Sequence, residues 1–60
     1  MIYEINVCKR GIQIIDKETY YNIINNITNY GMIITNKIET STKCHIDIEW
    51  NPYEKFYTPQ

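Results

Sequence analysis

From Lys43 to Trp50 the chain reads KCHIDIEW, an unbroken alternation with Cys44, Ile46, Ile48 and Trp50 on one side and His45, Asp47 and Glu49 on the other. A period of two over that length specifies a β-strand with one buried and one wet face, as in an antiparallel sheet covered on one side. The rest of the chain has to supply the cover and the neighbouring strands.

Met1 to Cys8 alternates as well, with Met1, Tyr3, Ile5 and Val7 opposite Glu4 and Asn6. Lys9-Arg10-Gly11 offers a turn, in which the glycine can take the positive φ that tight hairpins need, and Ile12 to Ile15 resumes the pattern. Asp16 is placed to cap a helix starting at Lys17, with Ile15 set to staple onto Tyr20. Tyr20, Ile23, Ile24, Ile27 and Tyr30 recur at three- and four-residue steps as one apolar stripe, and Gly31 fits the left-handed position that ends a helix. Asparagine and isoleucine are mediocre helix formers, so this helix depends on docking. Met32 to Glu39 reads as a third strand, apolar on both faces at its start, and Thr40-Ser41-Thr42 as a polar turn. The expected fold is therefore α+β: β-β-α-β-β, a four-stranded antiparallel sheet with one helix at about 17–30 on one face.

The C-terminal stretch WNPYEKFYTPQ adds four aromatic rings. Asn51-Pro52-Tyr53-Glu54 has the make-up of a helix start, so a short helical turn is expected at about 52–57, with Tyr53, Phe56 and Tyr57 on one side. These rings either enlarge a small core or present a docking patch, and both hold if Phe56 turns inward while Tyr53 and Tyr57 stay reachable.

Sixty residues make a single small domain, 1–60, that hides only about 60% of the surface its unfolded chain exposes. Such a chain gains from a partner subunit, and a homodimer is one expectation. Thirteen isoleucines stand against no leucine and no alanine; the bias fits an A/T-rich gene and favours strands over helices. Seven acidic and six basic side chains leave a net charge of -1, so no excess cation field exists to hold phosphates. No apolar run is long enough to span a bilayer, and MIYEINVCKRG lacks the unbroken hydrophobic centre of a signal peptide. A cytoplasmic protein with no membrane association is expected, and Cys8 and Cys44, on opposite faces, are expected as free thiols.

Chemistry is sparse. His45, Asp47 and Glu49 share a strand face, but neighbours along that face stand nearly 7 Å apart, so at most two could share one ion. No metal or other cofactor is expected. Cys44 and His45 diverge to opposite faces, which is poor geometry for a nucleophile and its base. Gly11 and Gly31 are too far apart for a phosphate loop, and Ser41 lies in a polar turn with no base beside it. An enzyme is not expected.

What remains is a small stand-alone protein-interaction module. The favoured version is a phage- or mobile-element-encoded inhibitor or adaptor that occludes the surface of a host or cognate protein, with His45, Asp47, Glu49, Tyr53 and Tyr57 as contact residues. The alternative is a single-stranded nucleic-acid-binding protein that uses the sheet, Tyr3, and the hairpin-end cations Lys9, Arg10, Lys37 and Lys43.

Overall fold

A computed structural model describes residues 1–52 of the chain. The elements are β1 (Ile2–Val7), β2 (Ile12–Ile15), α1 (Lys17–Asn26), a 3-10 turn (Ile27–Tyr30), β3 (Met32–Glu39) and β4 (Lys43–Trp50). The expected helical turn at about 52–57, with Tyr53, Phe56 and Tyr57, lies outside the described residues.

The sheet has four strands in the order β2-β1-β4-β3, and it is mixed rather than antiparallel. Both hairpins are antiparallel as expected, but they join through β1 and β4, which run parallel from Ile2↔Lys43 to Val7↔Ile48. The helix is the reason. Residues 17–30 extend roughly 20 Å, the length of a six-residue strand, and so return the chain to the end of the sheet at which β2 began. β3 then repeats the direction of β2 and β4 repeats that of β1, so any seam between β1 and β4 has to be parallel.

The cap at Asp16 forms as expected, its Oδ1 accepting from the Thr19 amide at 2.8 Å. Hydrogen bonding from the Thr19 side chain, and then from this amide, holds the Asp16 carboxyl below its ordinary value. At the far end Gly31 has φ 72 and its N–H closes onto the carbonyls of Ile27 and Thr28. The α-helix is shorter than the stripe implied. After Asn26 it tightens to a 3-10 turn, which changes the angular step per residue, and Tyr30 is thrown out to 59% exposure.

The core consists of Ile5, Tyr20, Ile27, Cys44, Ile46 and Ile48, with Tyr3, Val7, Ile15, Ile23, Ile24, Met32 and Ile34 packed around it. Tyr20 is fully buried and stands among rings, 5.1 Å from Tyr3 and 5.2 Å from Tyr21 between centroids. Trp50 is an exception to the β4 alternation. It sits on the helix-side face but at the end of the strand, paired with Met32, and is 63% exposed.

The first turn differs in detail. The Arg10 amide donates to the Val7 carbonyl at 3.1 Å, and the two residues between them, Cys8 and Lys9, have φ 53 and 60. Positive φ at both central positions is the requirement of the type I′ hairpin turn, whose twist matches the flanking strands. Gly11, with φ 115, follows the tight turn instead of making it, and its amide is held by Asn6 Oδ1 at 3.2 Å.

Candidate functional site: the open sheet face

Strand pairing assigns the face away from the helix. One row across the sheet runs Ile14, Glu4, His45, Ile38, and the next runs Ile12, Asn6, Asp47, Asn36. Ile2 pairs with Lys43 at one end of the face, and Ile33 pairs with Glu49 near the other.

Ile38 is there because of a bulge. Counting by twos from Met32 and Ile34 would send Ile38 to the helix side, but the register shifts between Ile34 and Asn36 and so reverses every later residue of β3. On β2 the pairing Asn6↔Ile12 and Glu4↔Ile14 sends two isoleucines outward, while Gln13 takes the helix side. Ile2, Ile12, Ile14 and Ile38 are consequently 47%, 58%, 67% and 43% exposed.

Between these isoleucines lies a charged stripe. His45 Nδ1 is 2.9 Å from Glu4 Oε1, and its Nε2 is 2.8 Å from Asp47 Oδ1. A carboxylate can only accept, so two carboxylates, one on each ring nitrogen, are both satisfied only when both nitrogens carry protons. The arrangement therefore favours the imidazolium form of the ring. Burial is the largest single influence and pulls the His45 pKa down, but hydrogen bonds to Asp47 and Glu4, with their charges, outweigh it and hold the group above its ordinary 6.5. The network extends to Lys43, whose Nζ is 3.9 Å from the same Glu4 oxygen, and to Asn36, whose Nδ2 reaches Asp47 Oδ2 at 3.4 Å.

Of the expected contact residues, Asp47 and Glu49 are half-buried on this face, while His45 is buried, with 8% of its surface exposed. His45 thus organises the stripe from within. Tyr53 and Tyr57 lie outside the described residues. Glu4 is the residue that strand-by-strand reading missed, because its partnership with His45 depends on the parallel seam.

The nucleic-acid alternative requires convergent cations, and the structure separates them. Lys9 and Arg10 sit in the β1–β2 turn, beyond the end of the sheet where Val7 pairs with Ile48, and Lys43 starts β4 at the other end beside Ile2. Lys37 pairs with Glu39 at 3.5 Å on β3. Tyr3 packs on Tyr20 and Tyr21 under the helix, away from the open face. A shallow groove of about 240 Å³ lies along Val7, Arg10, Gly11 and Gln13.

Cys44 is buried on the helix side and Cys8 is half-buried, both as free thiols. Among the described residues no set of three His, Cys, Asp or Glu side chains is disposed to hold a metal ion, and no helix is long and apolar enough to cross a membrane. No family model, curated protein or solved structure matches the chain.

Proposed function

We propose that the protein is an interaction module that docks through its open sheet face and blocks the surface it covers, as an inhibitor or adaptor. The observation that carries this reading is the exposure of Ile2, Ile12, Ile14 and Ile38 around a central polar stripe. A small monomeric domain gains nothing from apolar groups held in water on a flat sheet, whereas an interface uses them for burial. The stripe supplies orientation. Among the described residues Glu4, Asp47 and Glu49 share the face with Lys43 and His45, which leaves it mildly acidic and suited to a partner with basic groups between apolar ones.

The test is affinity capture with the native sequence against the double variant Glu49→Lys with Ile38→Ser. Both positions lie on the β3–β4 half of the face, outside the main core. The variant should keep the native circular dichroism spectrum and release a protein that the native chain retains. Equal retention by the variant, or retention of nucleic acid that salt removes, counts against the reading.

A further inference from the structure

The two edges of the sheet are not alike. β3 has the bulge between Ile34 and Asn36 and carries Lys37 and Glu39, the devices that keep an edge from pairing with another chain. β2, IQII, has no charge, no proline and no bulge, and among the described residues only β1 lies against it.

Its outward-facing hydrogen-bonding groups can be assigned. The Ile2 amide donates to the Thr42 carbonyl and the Cys8 amide to the Ile48 carbonyl, so the even-numbered backbone groups of β1 face β4 and the odd-numbered ones face β2. Tyr3 and Ile5 therefore exchange bonds with Ile15 and Gln13 across the hairpin. The amides and carbonyls of Ile12 and Ile14 point away from the sheet.

We infer that β2 pairs antiparallel with β2 of a second copy of this chain, about a two-fold axis at Gln13, to make one continuous eight-stranded sheet. In that register Ile12 of each copy stands opposite Ile14 of the other. All four outward groups on each strand are used, giving four inter-chain hydrogen bonds. Residues opposite each other in a sheet share a face, so the pairing gathers four exposed isoleucines on the open side and both helices on the other. The next charged residues along the register, Arg10 of one copy and Asp16 of the other, are of opposite sign at both ends. Centring on Ile14 is worse, because Ile12 would then meet Asp16, whose carbonyl already accepts from the Tyr20 amide where α1 begins. A contact this short is smaller than a permanent dimer interface, so the association is reversible and responds to concentration.

The inference does not depend on docking through the open face. Gln13 is exposed and meets its own counterpart across the axis, which permits a charge-swap test by sedimentation equilibrium over a dilution series. Gln13→Lys and Gln13→Glu should each raise the dimer dissociation constant about fivefold, the effect of like charges directly opposite each other, and an equal mixture should restore a dimer containing one of each. Ile14→Pro, which removes an outward amide and leaves the hairpin ladder intact, should give a monomer. A native chain that is monomeric throughout the series overturns the inference. So does a dimer that neither the charged variants nor Ile14→Pro weakens. Either result leaves the open-face reading untouched, because its test residues lie on the β3–β4 half of the sheet.

Discussion

The two faces of the sheet carry five strand isoleucines each: Ile5, Ile15, Ile34, Ile46 and Ile48 towards the helix, and Ile2, Ile12, Ile14, Ile33 and Ile38 away from it. Composition does not separate them, yet Ile46 and Ile48 are sealed while Ile12 and Ile14 are more than half exposed. The difference is the helix. Tyr20 and Ile27 cover the parallel seam from one side, and among the described residues nothing covers the other. Burial among the described residues thus depends on what is laid over an isoleucine more than on the strand it occupies.

The largest expected effect contrasts the faces directly. Ile46→Ala removes a fully buried side chain from the centre of the seam and should cost about 3 kcal/mol, enough to unfold much of so small a domain. Ile14→Ala should change stability by less than about 0.5 kcal/mol, and urea titration of both variants checks the pair. Similar losses at the two positions would mean that the open face is part of the fold's own core.

A second experiment concerns His45, the buried titratable side chain of the open face among the described residues. His45→Ala leaves Glu4 and Asp47 without the imidazolium between them and should cost about 1–3 kcal/mol. The native chain should show the same dependence through pH. The folded His45 pKa lies above the ordinary 6.5, so the folded state binds the proton more tightly than the unfolded state. This contribution is complete below 6.5 and is lost as pH rises through the elevated folded value. Urea midpoints should fall across that interval in the native protein, and this component of the fall should be missing from His45→Ala.

Two smaller changes should stabilise the protein. The Tyr20 hydroxyl is buried with no hydrogen-bond partner among the described residues, and burial, with lesser contributions from Cys44 and Glu39, pushes its phenol pKa up. Tyr20→Phe removes that unpaired group from the helix-side core and should gain about 1 kcal/mol in thermal or urea unfolding. A loss instead would show that the hydroxyl has a partner in the folded chain. Lys9 holds a left-handed conformation without being glycine, so Lys9→Gly should gain about 1 kcal/mol or slightly less. An unchanged midpoint would place the turn's strain elsewhere.

Local patterning made much of this legible. The period of two in β4, the Asp16 cap and the Gly31 terminus all depend on neighbours within a few residues, and they appear where the residues imply. Other features were not legible. Tyr30 left the stripe when the helix tightened, the bulge that sets the face of Ile38 left no mark in the pattern, and the tight turn closed on Cys8 and Lys9, with the expected positive φ of Gly11 just after it. Each reflects a choice between backbone states of similar local energy that packing elsewhere decides.

The chain's own order of residues determined that there would be two hairpins, one helix between them, and a strand with His45, Asp47 and Glu49 together on one face, because hydrogen-bonding periodicity and capping are short-range. Only the tertiary structure decided that β1 and β4 lie side by side and parallel, since strand order is fixed by how the helix spans the sheet and which edges its apolar stripe can cover. That long-range decision placed Glu4 against His45, forty-one residues away, and put β2 and β3 at the two edges of the sheet.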